Sequence, residues 1–179
     1  MRMVFGFVLV FMVVLNLFAQ DTQIMQKPDP AKERAKLSFL VGNFSTKTRI
    51  LPTARSHKEA VGTGTSAISW TLDSTFLLVN EQSINPLLGN YKGLGMLGYD
   101  IQTKEYVLAM FNNFGDRPQY KGNFSGDTLV LISKVEYPGG LFNQKLLWFS
   151  EANNVRLTVS NDMGKGFQPV IEQTDTPVK

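Results

Sequence analysis

The stretch Asn90–Asn113, NYKGLGMLGYDIQTKEYVLAMFNN, decides the fold. Tyr91, Gly93, Gly95, Leu97 and Tyr99 alternate with Lys92, Leu94, Met96 and Gly98. The alternation resumes with Tyr106, Leu108, Met110 and Asn112 against Glu105, Val107, Ala109 and Phe111. A period of two sends successive side chains to opposite faces of a strand. Between the runs, Asp100-Ile101-Gln102-Thr103-Lys104 reads as a tight turn, because the Asp100 carboxylate can accept backbone N–H bonds from just beyond it. Both faces are mixed, as expected where one lines a barrel and the other meets solvent or a flanking helix. Three glycines in six positions weaken a strand, and they predict bulges or sharp bends at barrel corners.

Those glycines also spell Gly93-Leu94-Gly95-Met96-Leu97-Gly98, a match to G-x-G-x-x-G. That fingerprint cradles a pyrophosphate only where it opens a helix. Here a turn and a second β run follow, so no dinucleotide site is read from it.

Working outward, further runs of the same kind cover Asn43–Ile50, Ala60–Leu72 and Phe76–Ile84 before the central hairpin. After it come Gln119–Phe124, Leu129–Tyr137, Gln144–Glu151, Val155–Asn161 and Phe167–Thr174. Turn residues separate them, among them Asn85-Pro86, Ser125-Gly126-Asp127, Pro138-Gly139-Gly140 and Asn153-Asn154. About ten short strands in meander order predict an all-β, closed antiparallel up-and-down barrel. One short helix precedes them, with Asp29 as N-cap, Pro30 in its first turn and Gly42 as its C-cap. Ala35, Leu37, Phe39 and Leu40 give that helix an apolar side with which to plug or flank a barrel end.

At the start of the chain, Arg2 precedes a largely apolar run from Val4 to Phe18, and Ala19 stands before the polar Gln20. The run is short for a bilayer span and suits a secretory leader. The expected division is a signal peptide over 1–19, a linker over 20–29 and one barrel domain over 30–179. The expected location is therefore exported, periplasmic or secreted, with no stable membrane insertion once the leader is removed. There is no cysteine, so a disulfide framework and a lipid-anchored cysteine are both excluded. Eighteen Lys and Arg against 15 Asp and Glu give a formal net charge of +3, too balanced to argue for nucleic acid.

Several of these segments carry a family resemblance. Leu37-Ser38-Phe39-Leu40-Val41-Gly42, Trp70-Thr71-Leu72-Asp73, Tyr91-Lys92-Gly93-Leu94-Gly95 and Leu97-Gly98-Tyr99-Asp100 occur in that order, followed by Thr103 and Tyr106. The chain resembles an uncharacterised bacterial family, domain of unknown function fifteen-seventy-nine, over roughly Lys36 to Gln173. The resemblance implies a lipocalin-like barrel of the calycin superfamily and brings no established reaction. Asn43-Phe44 departs from the acidic residue and Trp that usually follow the glycine, so no role for an indole at the barrel base carries over.

For function, the favoured expectation is a small apolar or amphipathic ligand held inside the barrel. Trp70, Tyr99, Tyr106, Phe111 and Trp148 are strand aromatics that can line such a cavity. Glu81 and Glu172 are acids set in apolar strands, and an inward carboxylate would be one of the few polar groups that orient a ligand. Gly62, Gly64, Gly93 and Gly95 are expected to leave room for it. One alternative is a filled barrel acting through its surface; another is an enzyme or a haem-binding barrel. The single histidine, His57, lies in the polar run Thr53–Glu59 and reads as a solvated loop residue. Accordingly no catalytic residue, metal ligand or cofactor is assigned, and the sequence does not specify an oligomeric state.

Overall fold

In the computed structural model, which describes residues 29–53, 57–137 and 140–178, the central hairpin is β4 (Gly89–Asp100) and β5 (Glu105–Asn112). Asp100 Oδ1 accepts from the backbone N–H of Gln102 at 2.8 Å and of Thr103 at 3.4 Å, which stops the strand and turns the chain. Around this hairpin run β1 (Gly42–Ile50), β2 (Ala60–Thr71), β3 (Phe76–Asn85), β6 (Gln119–Ser125) and β7 (Thr128–Tyr137). The barrel is completed by β8 (Gly140–Glu151), β9 (Asn154–Asp162) and β10 (Phe167–Pro177). Each strand pairs antiparallel with its neighbour in sequence, and β1 pairs with β10 to close the ring. Ten strands among the described residues thus form an up-and-down barrel, which leaves no edge open to another chain.

The two ends of the barrel differ. A short helix α1 (Pro30–Ala35) runs into a 3-10 turn (Lys36–Leu40), and both lie at the end where β4 passes to β5. Asp29 caps α1 by accepting from Ala31 N–H at 3.0 Å, and Pro30 occupies its first turn. Leu37 and Leu40 are fully buried and join a core of Phe44, Ile68, Leu77, Leu97 and Leu129. Tyr106 fastens this plug: its hydroxyl proton is shared between the Glu33 carbonyl at 2.8 Å and the Glu33 carboxylate at 2.7 Å. The rings of Tyr99, Tyr106, Phe124 and Phe39 meet edge to face in sequence, with centroids 5.1–6.4 Å apart. The loops at the other end, which include 51–53 and 57–59, 86–88, 113–118 and 163–166, carry no helix among the described residues.

Three expectations change in the structure. Gly42 opens β1 instead of capping the helix; the cap is Val41, whose N–H reaches the Ser38 carbonyl at 3.2 Å. The β4 glycines make no bulge, since the register from Gly93 to Gly98 is unbroken against both β3 and β5. They are instead covered by large side chains: Gly98 by the ring of Phe76, Gly95 by the sulfur of Met110, Gly93 by the hydroxyl of Tyr91. Nor do Gly62 and Gly64 open space, because a Cβ at either would meet the backbone of β3. The bulge lies in β10, between Pro169 and Ile171, where proline cannot donate to a ladder. The expected leader and linker fall outside the described residues, apart from Asp29.

Candidate functional site

Toward the loop end, the inward-facing residues shorten or turn polar, and the packed core gives way to a cavity of about 810 Å³. Leu108, Met110, Leu146, Trp148, Leu157 and Val159 supply its apolar wall. Leu87, Leu88 and Phe114 stand at its mouth, each at least 41% exposed. An apolar cleft of this size with a few convergent polar groups is the usual form of a small-molecule site.

The polar groups fall into two sets. The first is built where β1, β3 and β10 supply inward residues. Gln173 Nε2 donates to Glu81 Oε1 at 3.2 Å and to Asp175 Oδ1 at 3.1 Å. Thr48 donates to Gln173 Oε1 at 3.3 Å, and Thr46 donates to Asp175 Oδ1 at 2.8 Å. Glu81 keeps some accessible surface, but that surface faces the cavity while the barrel wall encloses the rest. This enclosure, with the neighbouring Asp175 carboxylate, pushes the Glu81 carboxyl up to about 7, against the opposing hydrogen bond from Gln173. Burial likewise raises Asp175, which is 1% exposed, although Thr46 and Gln173 pull the other way. Ser66, the register partner of Glu81 on β2, is 2% exposed and its hydroxyl has no partner.

The second set lies on β6, β8 and β9, where Tyr120 donates to Gln144 Oε1 at 2.5 Å and Gln144 Nε2 donates to Asn161 Oδ1 at 2.9 Å. Near the mouth, Asn85 Oδ1 accepts from Leu87 N–H at 2.8 Å, while its unpartnered Nδ2 packs over Gly62. Among the described residues lining the cavity there is no Lys, Arg or His; its ionisable carboxyls are Glu81 and Asp116.

Of the residues read from the sequence as ligand contacts, Glu81 and Trp148 line this cavity. The other five lie elsewhere. Tyr99 and Tyr106 are buried in the closed end against the plug, and Trp70 packs against the core near the end of β2. Phe111 is 57% exposed, because Met110 takes the inward position and alternation sends the next residue out. Glu172 also faces out, where Arg49 Nη1 lies 3.3 Å from its carboxylate and holds Glu59 as well. The β10 bulge explains the reversal. Val170 and Ile171 both reach the cavity, so the parity shifts and Gln173, not Glu172, points inward. Sequence reading had missed Gln173, Gln144 and Asn161, although Gln144 shares the face of Trp148 by simple alternation. His57 is exposed on the loop after β1. No group of His, Cys, Asp and Glu among the described residues is arranged to hold a metal ion.

Residues 29–168 match the family described as Protein of unknown function (DUF1579). The chain belongs to that family. For this DUF1579 member, no curated protein matches the sequence. Its fold is similar to the crystal structure of Rv2717c from M. tuberculosis, with a TM-score of 0.59 and 12% identity. The likeness covers 84% of this chain and 100% of that one, and at this identity it speaks for the fold alone. The DUF1579 barrel is thus a known architecture whose chemistry has to be argued from its own cavity.

Proposed function

We propose that the protein binds a small apolar or amphipathic molecule within its barrel. The observation that carries this reading is the cavity of about 810 Å³, open at the loop end, apolar in most of its wall and polar at two defined places. A barrel packed to its rim would instead favour action through the outer surface, and this one is packed only at the plugged end. The raised Glu81 carboxyl alone does not favour catalysis. Tyr99 and Tyr106, expected among the ligand contacts, lie instead at the closed end, where Tyr106 is bonded to Glu33. We further propose that the chain works outside the cytoplasm, a reading that rests on the apolar run after Arg2.

The test is titration with Nile red, an uncharged fluorophore. Wild type is expected to give saturable, blue-shifted emission. Val159→Trp, which places a large ring on the cavity wall, is expected to lose it while keeping the far-ultraviolet spectrum of the barrel. Unsaturable binding, or binding indifferent to Val159→Trp, would reject the cavity as the site.

A further inference from the structure

We infer that the cavity selects amphiphiles by the charge of the head group, accepting an ammonium against Glu81 and turning away a carboxylate on the same tail. This rests on the cavity being a ligand site, as proposed above, and adds the chemical class of the ligand. The donors that Gln173 and Thr48 present beside Glu81 are already engaged. Gln173 Nε2 is already engaged by Glu81 and Asp175, and Gln173 Oε1 takes the Thr48 hydroxyl. Tyr120 donates to Gln144 Oε1, and Gln144 Nε2 donates to Asn161. The unpartnered Asn85 Nδ2 is buried over Gly62 and does not reach the open space.

Beside Glu81, what the wall offers is acceptance. Glu81 Oε1 receives one hydrogen bond, from Gln173, and no donor among the described residues reaches Oε2. An N–H head placed at Glu81 would fill that acceptor and pair its charge. A carboxylate head would instead meet Glu81 with Asp175 directly behind it. No cationic side chain among the described lining residues would offset that repulsion. Other elements packed around Glu81 present no counter-charge either: β2 contributes Ser66, β4 contributes Gly93 and the Tyr91 hydroxyl over it, and β1 contributes Thr46 and Thr48. In an enclosed site such charges interact far more strongly than in water. The outer surface does not produce the same preference, because the formal net charge of +3 favours anions there.

The experiment displaces Nile red with dodecylamine, dodecanol and dodecanoate at pH 7.5, each below its micelle concentration. The three share a tail, so the comparison isolates the head. Dodecylamine is expected to bind about tenfold or more tighter than dodecanoate, a difference of about 1.4 kcal/mol, with dodecanol between them. In Glu81→Gln the advantage of the amine over the alcohol should vanish. Dodecanoate binding as well as dodecylamine, or an amine preference that survives Glu81→Gln, would overturn the inference while leaving a ligand cavity in place. Failure of all three to displace the dye would remove the cavity reading and this inference with it. The wild-type comparison stands even if the variant folds poorly.

Discussion

Glu81 makes the stability of this barrel depend on pH. Glu81 is held up to about 7, first by burial and then by Asp175, whereas an unfolded chain would release that proton near the ordinary value of 4.5. The native state therefore keeps a proton that the unfolded state has lost across the range between those values, and stability falls as pH rises through it. The stabilisation is complete below about pH 4.5, is lost as pH passes about 7, and amounts to roughly 3 kcal/mol. Asp175, raised by burial, adds in the same direction. Urea denaturation at pH 5 and pH 8 should show this loss in wild type and a smaller one in Glu81→Gln, where Asp175 remains. A wild-type midpoint that does not move would mean Glu81 titrates normally. Gly98 makes a second test at this scale. A Cβ there would fall within the Phe76 ring, so Gly98→Val is expected to cost about 1–3 kcal/mol. An unchanged denaturation midpoint would show that the Phe76 ring moves aside freely.

At the level of elements, the plug and the barrel wall should respond separately. Tyr106→Phe removes the hydroxyl that holds Glu33, an expected loss of about 0.5–1.5 kcal/mol. Hydrogen exchange should then quicken at residues 30–40 and leave β7 to β9 protected; a uniform change would place Tyr106 in the global core instead. Glu172→Gln should behave differently. Its partner Arg49 is about half exposed and keeps Glu59, so stability should change little and Nile red affinity not at all. The sequence made the strands themselves legible, because alternation and turn residues are local signals: Asp100 does turn the central hairpin, and Asp29 does cap α1. Which face points inward was legible only where alternation ran unbroken, as for Leu77, Val79 and Glu81. It failed at β10, where Pro169 marked a bulge that shifts the parity of every residue after it. Alternation does put Tyr99 and Tyr106 on the inward face with Leu97 and Leu108, but it does not show that a helix distant in sequence closes the end where they lie. No period within a strand reports which end of a barrel a plug will occupy.

For the molecule as a whole, the barrel has no cysteine to staple it and relies on strand pairing and its plugged core. Its export is a prediction of the apolar run after Arg2. N-terminal sequencing of the protein recovered outside the cytoplasm should begin near Gln20 or Asp21, and intact leader in a membrane fraction would refute removal.

The seam between β1 and β10 has a consequence in time as well as in space. Thr46 and Asp175 meet across 129 residues, and Thr48 and Gln173 across 125. Contacts of such high order form late, because their loop-closure entropy is spent before any contact returns it. Of the ten strands, β10 is the last to leave the ribosome, and it brings Gln173 and Asp175 to the cavity. A nascent chain halted after β9 would hold Glu81 on an open sheet with neither neighbour in place. If the cavity holds a ligand as proposed, its polar site is therefore completed only by barrel closure, and an incoming molecule would meet a finished site or none.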